Sequence, residues 1–280
     1  MRNLFDIPDE LALFETASIA AVPVPFNVTG SWIKGTDQGP RAIIEASQHV
    51  ELFDIETDTE VYKRGIFLDR PITADSPELL VEGVRMRILE LLSADRFPVI
   101  LGGEHTVSVG AVQACCSQLK DLSVLHMDAH AERRNEFNGS SLSYACAAAR
   151  MREASDTVVS VGIRSMDVIE KEMAQQDTIV YARDINLEFG WIARVVDALT
   201  DYVYISIDLD VFDPAFVPST ATPEPGGLDW YQVTDLVRTV VEEKTVVGFD
   251  VVELCPGENK ASDFLATKLV YKLLSYVFCV

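Results

Sequence analysis

Three stretches of this chain carry metal-type ligands in a pattern that chemistry can use. In Leu125-His126-Met127-Asp128-Ala129-His130-Ala131-Glu132 a short apolar run ends in an aspartate, a histidine and a glutamate at alternating positions. On an extended segment Asp128, His130 and Glu132 would all face one side. Two further stretches have the same form, Val99-Ile100-Leu101-Gly102-Gly103-Glu104-His105 and Val203-Tyr204-Ile205-Ser206-Ile207-Asp208-Leu209-Asp210. In each, the ligand-capable residues stand where the apolar run gives out, which is where open parallel α/β sheets build their sites. Converging strand ends would gather His105, His130 and the carboxylates of Asp128, Glu132, Asp208 and Asp210. Imidazole and carboxylate donors without thiolate suit Mn²⁺, with Zn²⁺, Co²⁺ and Fe²⁺ behind it. Six ligands are too many for one catalytic ion that keeps an open position. They fit two ions roughly 3.5–4 Å apart that share a carboxylate and activate water. A lone D-x-H is most often a surface turn or a satisfied polar pair, so the weight rests on three motifs together.

The elements that must position these residues are strands alternating with helices. Strand candidates are Ser18 to Phe26, Val61 to Phe67, Pro98 to Gly102, Leu122 to Asp128, Thr157 to Ile163, Thr178 to Ala182, Tyr202 to Asp208 and Thr245 to Val252. Several are unbroken Val/Ile/Leu runs, as expected of strands buried on both faces of a parallel sheet. Ser76-Pro77-Glu78 caps a helix to about Leu92, with Leu80, Val84, Ile88 and Leu91 on one face. Others are read from near Gly39-Pro40, over Thr106 to Gln118, from Leu228 to Glu243, and from about Ala261 to the end with Leu265, Leu269, Leu273 and Val277 as its stripe. The alternation means a three-layer α/β/α sandwich. Gly102 and Gly103 permit a tight strand exit, which puts His105 at a helix N-terminus where the dipole favours neutral imidazole. The loop from Pro23 to Ser31, Asn27 included, reads as structural. His126 falls inside a strand with its orientation open, and His49 falls in the first helix.

At 280 residues, with 48% hydrophobic and 24% charged content, the chain reads as one globular domain, residues 1–280. A net charge of -21 argues against nucleic acid and anionic membrane as partners and only weakly for a cationic substrate. Five cysteines form no CxxC pair, and neither a signal peptide nor an apolar run of transmembrane length is evident, so a reduced, cytoplasmic setting is the simplest expectation.

The three metal-type motifs resemble, in order and spacing, those of the ureohydrolase family of arginase, agmatinase and relatives. Gly39-Pro40-Arg41-Ala42-Ile43, Gly162-Ile163-Arg164-Ser165, Thr222-Pro223-Glu224-Pro225-Gly226-Gly227-Leu228 and Asp250-Val251-Val252-Glu253 extend the resemblance over nearly the whole chain, closest to agmatinases of archaeal and bacterial type. The resemblance implies an eight-stranded, mostly parallel sheet, two Mn²⁺ ions, a trimer or hexamer, and hydrolysis of a small cationic guanidino compound to urea and an amine. It makes Asp128 a bridging ligand, gives His130 and Glu132 to different ions, has one of Asp208 and Asp210 bridge, and makes Glu253 the carboxylate that binds the guanidinium. Agmatine is the first choice of substrate, with guanidinobutyrate, arginine and aminopropylagmatine as alternatives. Two positions depart from the pattern. Glu132 stands where the family has aspartate, and Tyr144 where it has a proton-shuttling histidine. Ser219 and Ala221 replace frequent glycines, and Asn27 a frequent aspartate. Glu132 and Tyr144 together motivate the rival expectation of a metal-binding homologue that no longer catalyses. A single-zinc deacylase on a similar fold is the other rival, and the six-ligand set argues against it.

Overall fold

A computed structural model describes residues 3–30, 32–175 and 177–280, so Ser31, at the end of the loop read from Pro23, lies outside the described residues. The eight strands are β1 (Ile19–Val24), β2 (Ile66–Leu68), β3 (Phe97–Gly102), β4 (Leu122–Met127), β5 (Thr157–Ile163), β6 (Thr178–Tyr181), β7 (Tyr202–Asp208) and β8 (Thr245–Val252). They form one sheet in the order β2-β1-β3-β8-β7-β4-β5-β6, and every pairing in it is parallel. The expected "mostly parallel" sheet is therefore wholly parallel. The helices are α1 (Gly39–Ser47), α2 (Pro77–Ser93), α3 (Thr106–Gln118), α4 (Ala147–Ala154), α5 (Val168–Met173), α6 (Ala182–Ile185), α7 (Trp191–Ala198), α8 (Trp230–Glu243) and α9 (Ala261–Cys279).

The layers follow from strand parity. Ala20, Val22 and Val24 pack with α2, α3 and α4 on one face, while Ile19 and Ala21 pack with α1, α7, α8 and α9 on the other. The stripe Leu80, Val84, Ile88 and Leu91 of α2 is fully buried, each side chain contributing about 1.5–3 kcal/mol. In α9 the stripe is deepest at Leu269 and Leu273 and half-buried at Leu265 and Val277.

The first strand ends at Val24 rather than Phe26 and the fourth at Met127 rather than Asp128, and two further boundaries differ from the sequence reading for a local reason. Val61–Arg64 is a 3₁₀ turn, and the strand starts only at Ile66 because Gly65 adopts φ 76°. A Cβ at Gly65 would lie 2.7 Å from Ala17 Cα, so the close approach also demands glycine. Helix α8 starts at Trp230, two residues late, because Asp229 caps it reciprocally with Gln232.

The topology decides where chemistry is placed. β3, β8, β7 and β4 are consecutive neighbours in the centre of the sheet, and being parallel they deliver their carboxyl ends to one edge. β3, β8 and β4 end just before Glu104-His105, Glu253 and Asp128 respectively, and β7 ends on Asp208 itself.

Candidate functional site

His105 Nδ1 stands 3.1 Å from Asp128 Oδ2, 3.1 Å from Glu132 Oε2 and 3.6 Å from Asp208 Oδ2. His130 Nδ1 stands 2.8 Å from Asp210 Oδ2 and 3.5 Å from Asp128 Oδ1. All six residues expected as ligands are thus brought together, and Asp128 turns one oxygen towards each histidine. The alternation argument for Asp128, His130 and Glu132 needs correction, because β4 ends at Met127 and the three lie in the loop beyond it. Glu132 reaches the buried side through a left-handed backbone turn, φ 51°.

This donor set fits divalent cations. Donor atoms 2.0–2.2 Å from a shared ion stand about 3 Å apart at right angles, which matches the contacts around His105. His105 Nδ1 and Glu132 Oε2 are buried and have no hydrogen-bond partner, an arrangement that costs free energy unless a cation fills the space between them. Two groups of ligand atoms lie within 4.8 Å of one another: His105, His126, Asp128 and Glu132 form one, and Asp128, His130 and Asp210 the other.

The electrostatics record the same crowding. Burial opposes charge on His105, yet the Glu132 and Asp128 carboxylates hold its pKa well above the usual imidazole value. Against burial, Asp210 and Asp128 push His130 up to about 12. Burial would raise Asp128, but the imidazoles of His105, His126 and His130 crowded against it hold it well below the carboxylate range. Asp208, with only like charges close by apart from His105, is pushed well above that range by burial and by Asp210 and Asp128. Imidazoles and carboxylates so arranged are poised to exchange their bound protons, released to solvent, for a metal ion.

Beneath the ligands runs a polar row that sequence reading did not find. Ser160, His126, Ser206 and Asp250 are in register across β5, β4, β7 and β8, all four buried on the α3 face. Ser206 Oγ donates to Asp250 Oδ1 at 2.8 Å, so its contact with His105 Nε2 at 2.9 Å must be one in which the ring donates. That direction leaves a lone pair on Nδ1, the nitrogen facing the carboxylates. His126 bridges Ser160 Oγ (3.1 Å) and Asp128 Oδ2 (3.0 Å), which settles its orientation towards the site. The available signal was a polar residue in the interior of each largely apolar strand.

The remaining expected residues line the approach. Glu253, at φ 65°, is buried, and its Oε1 accepts the His105 backbone N–H at 2.8 Å. Burial, with Glu104 nearby, pushes its pKa well above the carboxylate range although that hydrogen bond opposes the shift. Tyr144 lies in a 3₁₀ turn with its ring 5.9 Å from that of Phe137, and its backbone N–H donates to Thr29 Oγ1. A cleft of about 300 Å³ is lined by His130, Glu132, Phe137 and Tyr144, and a tighter one by Asn27, Trp32, Ala221 and Glu253. Tyr144 and Thr222 form the wall shared by both. His49 is exposed just past α1 and lines a separate cavity of about 660 Å³, away from both ligand groups.

Two supports were also missed. The Glu104 carboxylate accepts from Thr29 N (3.1 Å), Thr29 Oγ1 (2.7 Å) and Gly30 N (2.5 Å). With its amide oriented to accept from Gly35 N, Asn27 donates to the same carboxylate at 2.9 Å, where an aspartate would add a repelling charge. Arg164 binds the backbone carbonyls of Asp210 (2.6 Å), Glu224 (2.7 Å) and Phe212 (3.2 Å), and Asp213 accepts from Gly226 N and Gly227 N. The loop after Asp210 is thereby fixed against the site.

A sequence profile of the arginase family matches residues 17–275. An N(1)-aminopropylagmatine ureohydrolase of Thermus thermophilus is 37% identical over 275 residues, covering 97% of this chain and 93% of the relative. An agmatinase of Pyrococcus horikoshii is 30% identical over 278 residues, covering 96% and 95%. The crystal structure of an agmatine ureohydrolase of Thermoplasma volcanium superposes with a TM-score of 0.90 at 27% identity, over 99% of this chain and 94% of that one. Family enzymes depend on a binuclear metal centre, and the paired ligand groups suit one. The chain belongs to the arginase family of metal-dependent amidinohydrolases.

Proposed function

We propose that this guanidino hydrolase acts on a linear guanidine with a cationic tail, agmatine or its aminopropyl derivative, releasing urea and an amine. The observation that carries the reading is the meeting of two imidazoles and four carboxylates at one cleft beside the Glu253 carboxylate, with His105 Nδ1 and Glu132 Oε2 orphaned. In this reading His105, Glu132 and Asp208 hold one ion, His130 and Asp210 the other, and Asp128 serves both. Mn²⁺ is the ion such imidazole and carboxylate donors suit best. When bound, the pair supplies Lewis acidity and makes a hydroxide-strength nucleophile available at neutral pH.

The chain's own groups do the rest. Glu253 receives the guanidinium: one oxygen is aimed by the His105 N–H, and an incoming planar cation restores the charge that burial disfavours. Tyr144, on the wall between the two clefts, donates a hydrogen bond to the leaving nitrogen. Despite its extra methylene the Glu132 carboxylate lies 3.1 Å from the His105 ring, within the ligand cluster. This favours a working enzyme over a non-catalytic homologue. The relatives named for aminopropylagmatine and for agmatine support a tail in which an amine follows the guanidine.

The test is urea release from agmatine, aminopropylagmatine, guanidinobutyrate and arginine by Mn²⁺-reconstituted protein, with metal content measured on the same sample. Urea from an amine-tailed substrate with about two ions per chain is the expected result. Two ions bound and no urea from any compound would overturn the reading. We further propose a single-domain chain that assembles as a trimer or hexamer in the cytoplasm, the assembly being open to sedimentation velocity.

A further inference from the structure

The tighter of the two clefts is the one that holds Glu253. Asn27, Trp32, Tyr144, Ala221 and Thr222 line it with that carboxylate, and its free volume is about 10 Å³, room for about one water molecule. Glu253 is 5% exposed and stands at the closed end, while Trp32 is 69% exposed and stands at the open one. Asn27, Ala221 and Thr222 are short, so the bulk of the wall comes from two rings. Tyr144 is shared with the wider cleft, whereas Trp32 belongs to the tighter one alone.

The loop that carries Trp32 is pinned on both sides. Before it, Thr29 N and Gly30 N donate to the Glu104 carboxylate at 3.1 and 2.5 Å. After it, the Lys34 carbonyl accepts from Cys255 Sγ at 3.2 Å, and Gly35 N donates to the reoriented Asn27 amide at 2.7 Å. The Lys34 ammonium donates back to the Gly30 carbonyl and closes the loop on itself. Glu104 precedes His105 and Cys255 follows Glu253 by two residues, so the loop is tied to the strand ends that carry the site. A large side chain on a loop so anchored acts as a wall. When a guanidinium binds at Glu253, the terminal nitrogen that meets the carboxylate takes the place of about one water. An unsubstituted NH₂ group is of that size, but a methyl on the same nitrogen adds a carbon for which the cleft has no space.

We propose that Trp32 is a specificity-determining residue, which closes the guanidine pocket so that only guanidines with unsubstituted terminal nitrogens reach Glu253 and Nω-alkylated ones are shut out. The inference rests on the guanidine-hydrolase reading above and narrows the substrate class of that site at the reacting end, independently of the tail. One extra carbon in a filled pocket is worth about a 10- to 200-fold difference in kcat/KM.

The experiment compares the Mn²⁺-loaded full chain with Trp32→Ala and Trp32→Phe on agmatine and on its Nω-methyl derivative, which carries the methyl on a terminal guanidine nitrogen. In both compounds water adds to the guanidine carbon and the bond to the tail nitrogen breaks. The products are urea or methylurea with the same 1,4-diaminobutane, so one diamine assay reads both. Wild type should prefer agmatine by about 10- to 200-fold in kcat/KM. Trp32→Ala should narrow that preference by about tenfold or more through a gain on the methylated compound, and Trp32→Phe, which keeps a ring in place, should retain most of it. An unchanged preference in Trp32→Ala, or a wild type that cleaves both compounds equally, would overturn the proposal. Stopped-flow fluorescence of the wild type reads the same contact without turnover, with Trp32→Phe as the blank for Trp191 and Trp230. Agmatine should change the Trp32 emission and the methylated compound should leave it as it was. If neither compound yields diamine, the hydrolase reading fails and the fluorescence still decides: a response to agmatine alone supports the wall, and equal responses or none overturn it. Because the indole is largely exposed, both variants should melt within a degree or two of wild type.

Discussion

Replacing Ser206 by alanine tests the hydrogen-bond chain under the site. Ser206 is fully buried, accepts from His105 Nε2 at 2.9 Å and donates to Asp250 Oδ1 at 2.8 Å. The substitution removes one oxygen and leaves two buried groups short of a partner, the imidazole N–H and one carboxylate oxygen. An unsatisfied buried donor costs about 1–3 kcal/mol, which for a chain of this size lowers Tm by a few degrees. The more specific effect is on the ring. Without the serine oxygen nothing holds the proton on Nε2, and the proton moves to Nδ1, where the Asp128 and Glu132 oxygens wait at 3.1 Å. A proton there competes with a metal ion. Losing such a support costs 10- to 100-fold in metal affinity, about 1.4–2.7 kcal/mol. Isothermal titration of metal-free protein with Mn²⁺ reads the affinity, and ¹⁵N chemical shifts of His105 report which nitrogen carries the proton. Affinity within twofold of wild type, with only Tm lowered, would refute the tautomer argument and reduce Ser206 to packing.

Metal uptake should release protons and strengthen with pH. Neighbouring carboxylates push His130 up to about 12 and raise His105 above the usual imidazole value, so in the metal-free protein protons compete with metal for these ring nitrogens. Binding must displace those protons, so affinity should rise about tenfold per pH unit for each proton lost; titrations in buffers of different ionisation enthalpy that detect no release would contradict this. Tyr144→His places an imidazole on the wall shared by both clefts. It should raise kcat at neutral pH by about tenfold or more if proton delivery to the leaving nitrogen limits turnover, and unchanged kcat would assign that proton to solvent. Away from the site, Lys272 Nζ pairs with Asp54 Oδ2 at 2.6 Å and Glu56 Oε2 at 3.0 Å, with the Lys272 and Asp54 side chains 7% and 1% exposed. Lys272→Met should destabilise by about 3–5 kcal/mol in urea melts at neutral pH. Against burial, Lys272 lowers the pKa of Asp54, so the stability from this pair is present above the unfolded carboxylate pKa and lost as pH falls through the folded one. The gap between variant and wild type should close in acid, and a gap below about 1 kcal/mol at pH 7 would show the pair to be dispensable.

What could be read from the sequence depended on how local its cause was. The strands and the ligands at their ends were legible because an apolar run followed by a carboxylate or imidazole is written in consecutive residues. Boundaries failed where one residue's backbone decided them, as Gly65 did for β2 and the Asp229 to Gln232 capping pair did for α8. Glu132 met the right partners for a reason other than the one foreseen: a left-handed turn turns it inward, not strand alternation. The polar row was illegible for a different reason. Parity tells that His126 and Asp128 share a face, but that Ser160, His126, Ser206 and Asp250 lie abreast follows from the register of β5, β4, β7 and β8, in which β4 pairs with β7 across the intervening β5 and β6 of the chain.

The two histidines of the centre show what this division means for function. His105 is fully buried, its back nitrogen held by Ser206, which is held in turn by Asp250, both on central strands. His130 sits in a loop, its side chain 26% exposed, and its back nitrogen faces Glu224 across 3.8 Å on a second loop. A group held by strands at both ends has little freedom to adapt to a substrate, whereas one set between loops can change partner without disturbing the sheet. The His105 side should therefore tolerate no substitution without loss of metal. The loops are where substrates should be told apart, and changes at Trp32 should alter which guanidine is cleaved before they alter whether the ions bind.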